Sequence, residues 1–169
     1  MIIPMILFEG IVLSFIVLVA CVVGIANGPV GLVCLYEREV WDRCIENGLT
    51  TEEKIKKSAS NFKFVIIPLM LIVVLLSVYG INGARTFWEG FIQMTIVLVI
   101  EGLFDRLFID WYWVGKTKAW NIEGTDDLKP YIYGKSLIIK WTTTLVGYPV
   151  IAAILAGIMS LIFLWCKYI

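Results

Sequence analysis

Four stretches of this chain are long enough, and apolar enough, to cross a lipid bilayer. They are residues 5–26, 64–81, 87–109 and 141–165. A helix needs about 20 mostly apolar residues to traverse a hydrocarbon core of about 30 Å. Helices satisfy their own backbone groups in lipid, and these segments are too continuously apolar to be barrel strands. The expectation is an all-α, polytopic membrane protein forming a single four-helix transmembrane domain over residues 1–169. Two cytoplasmic helical connections, 28–63 and 110–140, join its spans.

Basic residues set the expected orientation. The first long connection holds Arg38, Arg43, Lys54, Lys56, Lys57 and Lys63, and the second holds Lys116, Lys118, Lys129, Lys135 and Lys140. The short turn between the second and third spans offers only Arg85. The positive-inside rule puts both connections in the cytoplasm and both termini outside. Trp88 and Trp165 at the outer ends, with Trp111, Trp113 and Trp141 at the inner ends, fit aromatic belts. The first span lacks a basic n-region and a small-residue cleavage site, so it reads as an uncleaved span. A bacterial-type plasma (inner) membrane is the simplest location.

Composition removes several function classes. With 14 basic and 14 acidic residues there is no net charge and no basic tail, so nucleic acid is not an expected partner. There is no histidine, which removes Ser-His and Cys-His nucleophile systems and His-ligated zinc or haem. Cys21, Cys34, Cys44 and Cys166 form no C-x-x-C pair and read as small hydrophobes. No cofactor is implied.

The connections have patterns of their own. In "LYEREVWDRCIENG", Leu35, Trp41, Cys44 and Ile45 share one face at helical spacing, and Gly48 reads as a stop. Thr50 with Glu53 reads as a capping box, starting a helix that runs on into the second span. Gly124 with Asp126 and Asp127 reads as a turn, and Pro130 as the first turn of a helix leading into the fourth span.

The third span is the anomaly. Glu101 lies near its middle, and a carboxylate there costs about 2.5–3.5 kcal/mol even on the lenient insertion scale. Asp105 follows one turn on, and Arg106 with Asp110 makes a second four-residue pair. Two acids so placed repel unless they share a proton or hold a cation between them. Lys140, Arg106, an inorganic cation or a ligand amine are the candidates. Glu89, Gln93 and, on the first span, Glu9 mark the outer half; for Glu9 and Glu89 a place at the outer interface is reading enough. Together with Glu101 these groups also suggest a polar path.

The candidate ligand- or ion-binding residues are therefore Glu101, Asp105, Arg106, Asp110, Lys140, Gln93 and Glu89. The leading expectation is binding or transport of a cation or small amine-bearing solute, by a homo-oligomer or beside a partner membrane subunit. An accessory or assembly subunit of a larger complex is the first alternative. A metal-dependent enzyme acting on a lipid is the second, and enzymatic activity is not the favoured reading. Glu9 in "LFEGIVL" is only superficially similar to the first-span glutamate of small multidrug transporters, because this chain is longer and has two sizeable connections. It is assigned to no family.

Overall fold

Long apolar runs become long helices, and the computed structural model describes them over residues 3–167. Helix α1 spans Ile3–Gly24, and α2, Arg38–Glu46, follows a 3₁₀ segment at Pro29–Leu35. Helix α3, Glu52–Leu75, continues as a π-helix through Leu76–Ile81, and α4, Phe87–Phe104, continues likewise through Asp105–Val114. Helix α5, Gly134–Thr142, passes through a π-helical turn at Thr143–Gly147 into α6, Tyr148–Lys167. No strand occurs among the described residues.

Among the described residues, three helical rods are long and apolar enough to cross a membrane: Ile3–Gly24, Glu52–Ile81 and Gly134–Cys166. They contain the expected second and fourth spans and all but the last two residues of the first. The expected third span is not among them. Its apolar run is broken by Glu89, Gln93 and Glu101 and then by Asp105, Arg106 and Asp110. Helix α4 instead lies at the centre of the bundle, packed against α1 on one side and α6 on the other. A helix surrounded by helices can keep polar groups that a lipid-facing helix cannot.

Small residues bring these helices close. A Cβ on Gly10 of α1 would sit 2.8 Å from Ile100 of α4, and one on Gly102 of α4 would sit 2.7 Å from Thr144 Cγ2 and 2.8 Å from Tyr148. Ala152 and Ala156 of α6 are fully buried, whereas Gly157 faces open space.

Two apolar cores result. One lies in the bundle, around Leu13, Val78, Met94, Val97 and Ala156. The other joins the two connections to the helix ends above them, around Val33, Val40, Cys44, Trp120 and Tyr131. Tyr36 stacks near Tyr131, with centroids 5.0 Å apart, and meets Trp120 edge-on at 6.3 Å. The Glu37 amide donates to the Tyr131 carbonyl at 3.1 Å, and Arg43 Nη1 lies 3.1 Å from Asp127 Oδ1. The two connections are one folded layer on one end of the bundle.

Local readings of the connections need three adjustments. Thr51, not Thr50, caps α3, accepting the Lys54 amide at 3.3 Å. Pro130 follows a cis peptide bond and stays outside the helix, which starts at Gly134. The N-terminus of α5 is capped across the layer instead: the Glu37 carboxylate accepts from the Ser136 amide at 3.0 Å and the Lys135 amide at 3.3 Å.

Candidate functional site

The C-terminal end of α4, with its π-helical continuation, gathers the charges that the sequence singles out. Asp110 is the hub. Its Oδ1 accepts from Lys140 Nζ of α5 at 2.9 Å, and its Oδ2 lies 2.7 Å from Arg106 Nη1. Arg106 also contacts Asp105 through Nη2. The Arg106–Asp110 approach is an ion pair without hydrogen-bond alignment, and Arg106 Nε has no partner either. Arg106 and Asp110 are 6% and 7% exposed, so this cluster is desolvated and solvent does little to screen it.

The local backbone explains why these groups meet. Positions four apart share a face on a helix, which pairs Arg106 with Asp110. The close crossing at Gly102 brings α4 against the Thr143–Gly147 turn, and Lys140 follows on the preceding turn of α5. The Thr143–Gly147 turn and the Asp105–Val114 segment that carries the charges are both π-helical, a wider coil found often at functional sites.

Glu101 sits one turn deeper, only 2% exposed. It forms no salt bridge, and its Oε2 is unpartnered. The Tyr148 side chain lies beside it. Counting formal charges, Glu101, Asp105 and Asp110 face Arg106 and Lys140. One negative charge has no fixed counterpart.

Two cavities flank the cluster. A small one of about 70 Å³ is lined by Asp105, Asp110 and Lys140, with Tyr36, Cys21 and Trp120 closing it. On the other side lies a cleft of about 530 Å³ bounded by Arg106, Asp110, Lys116 and Tyr133, with Leu107, Trp111, Leu137 and Trp141 as apolar walls. Burial, then the hydrogen bond it donates to Glu39 at 2.7 Å, pushes the Tyr133 phenol up to about 12. It therefore meets the cleft as a neutral hydroxyl. Glu101 lines neither cavity.

The candidates toward the other end of the bundle behave differently. Glu89 is exposed and closes a capping box on α4: its carboxylate accepts from the amides of Arg85 at 2.9 Å and Thr86 at 3.1 Å. Glu9 is buried and accepts from Asn82 Nδ2 at 2.9 Å, leaving Oε1 free. Gln93 is buried with an unpartnered Oε1. The structure thus brings Asp105, Arg106, Asp110 and Lys140 together, with Glu101 behind them. It leaves Glu89 apart as a helix cap.

Sequence reasoning missed Tyr148 beside Glu101 and Asn82 beside Glu9. Tyr148 is a polar residue in an apolar run and Asn82 a turn residue, and nothing in the spacing says which acid each meets. No three Asp, Glu or Cys side chains among the described residues converge as metal ligands. Compared with known proteins, the chain matches no family model, no curated protein and no solved structure.

Proposed function

We propose that this chain is a small integral membrane protein that binds, and in its membrane transports, a small monovalent cation or amine at the inner end of α4. The observation that carries the reading is the charge count in the buried cluster: three carboxylates and two fixed cations. The carboxylates do not converge on one point, which disfavours a hard divalent ion, since such ions gather several oxygen ligands. A single positive charge, a bound cation or a proton held on Glu101, balances the cluster. The cavity beside Asp105 and Asp110 has room for an ammonium-sized guest, at about 30 Å³ per water molecule displaced.

In this reading α4 is the third of four spans, both termini lie outside a bacterial-type plasma membrane, and the protein is a homo-oligomer. The folding of the two basic connections into one layer supports placing them on the same side. The lipid-enzyme reading gains no support from the acid geometry. The subunit reading keeps one observation: α6 presents Ile151, Ile154, Ile158, Leu161 and Trp165 outward, a face that another protein or lipid must cover.

The test is binding of radiolabelled methylammonium to protein in bilayer nanodiscs. Removing a charge-assisted contact is worth about 1.5–3 kcal/mol, so Asp105→Asn, which takes a carboxylate from the cavity wall, should weaken binding by about 10- to 100-fold. Unchanged affinity in Asp105→Asn ends the cation reading. A partner protein co-purifying in fixed ratio from native membranes moves the assignment to the subunit.

A further inference from the structure

A groove of about 690 Å³ runs between α1 and α3 on the outside of the bundle. Its walls are apolar except for Asn61, and Phe15, Val19 and Val65 stand 56%, 59% and 60% exposed along it. On α1 the walls run from Val12 to Gly24, a rise of about 18 Å at 1.5 Å per residue. One leaflet of a hydrocarbon core of about 30 Å is about 15 Å deep. The groove is as long as one layer of acyl chains.

At the end nearest the folded layer its chemistry changes. Gly24, Asn61 and Phe62 also line an adjoining hollow of about 390 Å³, whose other walls include Lys54, Lys57 and Ser58. Its floor is the 3₁₀ segment, held to α3 by the Ser58 hydroxyl, which donates to the Gly31 carbonyl at 2.5 Å. On α3 the positions 54, 57, 61, 65 and 69 follow at steps of three and four, so they share one face of the helix. That face is basic and polar as far as Asn61 and apolar beyond it.

The two lysines are free to meet an anion. Both are exposed, and among the described residues neither takes part in an ion pair. Lys56, turned off that face, is committed to Glu52 at 3.0 Å. Glu53 precedes Lys57 by four residues but neither pairs with it nor lines the hollow. Among the described residues no carboxylate lines the groove or the hollow. The groove therefore ends in two uncompensated positive charges where a leaflet ends and its headgroups begin. A molecule with an apolar tail and an anionic head matches both halves.

We propose that this groove holds an acyl chain of an anionic phospholipid, with the phosphate at Lys54 and Lys57 and the tail between α1 and α3. The proposal rests on the bilayer placement of the protein and not on cation binding, because no member of the charged cluster lines the groove or the hollow.

The experiment is native mass spectrometry of the protein released from nanodiscs of mixed phosphatidylcholine and phosphatidylglycerol, counting retained lipids. Wild type should retain phosphatidylglycerol preferentially. Lys54→Gln and Lys57→Gln should each lower that preference about fivefold, the worth of one basic side chain near anionic lipid. Lys56→Gln removes the same charge one residue away and should leave the preference unchanged. Ala20→Trp, which fills the groove and keeps every charge, should abolish it. Equal retention of the two lipids by wild type overturns the proposal. So does an equal loss in Lys56→Gln and Lys57→Gln, since the attraction would then belong to the basic surface at large. Full preference in Ala20→Trp, or displacement of the lipid by inorganic phosphate alone, overturns it as well, because the groove would contribute nothing. A wild-type dimer that Ala20→Trp splits would also overturn it and give the groove to a second copy of the chain.

Discussion

The buried cluster at the C-terminal end of α4 and the layer built by the two connections lie side by side, yet they hold carboxylates in opposite ways. In the layer, Glu37 meets backbone amides and Asp127 meets Arg43 across a surface where their side chains are 62% and 34% exposed for the pair. Water can replace either contact, so an exposed pair of this kind contributes about 0–1 kcal/mol. In the cluster, Asp110 meets two cations away from water. There the pairing is not what makes the fold stable. It is what keeps three buried charges tolerable, and removing one member leaves the others without compensation.

The sharpest way to break that comparison is Lys140→Met. It keeps the apolar stem and deletes the charge, and it should destabilise the protein by about 3–5 kcal/mol, as lost partners of buried pairs do. The readout is the unfolding midpoint in a mixed-micelle SDS titration. Asp110→Asn combined with Lys140→Met should recover most of the loss, because the stranded carboxylate is gone as well. If single and double variants lose equally, Lys140 is a packing residue and the cluster resembles the layer after all.

A smaller effect tests how the cluster is assembled. Gly102→Ala places a Cβ 2.7 Å from Thr144 Cγ2 and 2.8 Å from Tyr148, neither of which can retreat without parting the helices. Overpacking of this kind costs about 1–3 kcal/mol. Gly157→Ala, with nothing within 4 Å, is the matched control and should be neutral or slightly stabilising through helix propensity. Equal responses would mean that the α4–α6 crossing is looser than its geometry, and that Lys140 reaches Asp110 by side-chain length alone.

The same contrast separates what was legible in the sequence from what was not. Hydropathy marks α1, α3 and the α5–α6 rod, because a lipid-spanning helix must announce itself in composition. Charge spacing marks Arg106 with Asp110, because partners four apart on one helix are fixed by its pitch. Lys140 was legible only as a candidate, since its meeting with Asp110 depends on the crossing at Gly102, and a glycine records that an approach is close without naming its partner. Asn82 at Glu9 and Tyr148 at Glu101 are tertiary contacts of that kind. The π-helical segments were not legible at all, because they follow from how whole helices pack. The length of α3 was read correctly, yet its cap falls one residue on, at Thr51, since neighbouring threonines offer the same hydroxyl.

The smallest expected effect belongs to the layer, and pH gives it a signature the cluster lacks. The amides and hydroxyl at Ser136, with the Lys135 amide, hold the Glu37 carboxyl below its ordinary value of 4.5. A depressed folded value means that the ionised form favours the fold. Its contribution is fully present above the unfolded value and is lost as pH falls through the lower folded one. Glu37→Ala should therefore cost about 1 kcal/mol near neutrality, as a lost helix cap does. The difference from wild type should shrink towards zero as pH falls well below 4.5, where both chains present α5 without its anionic cap. Unfolding midpoints of the two proteins across that range are the measurement. A gap that persists in acid would place the Glu37 contribution in packing against Tyr131 and Gly134, and the layer would then hold its carboxylates by shape as well as by backbone amides.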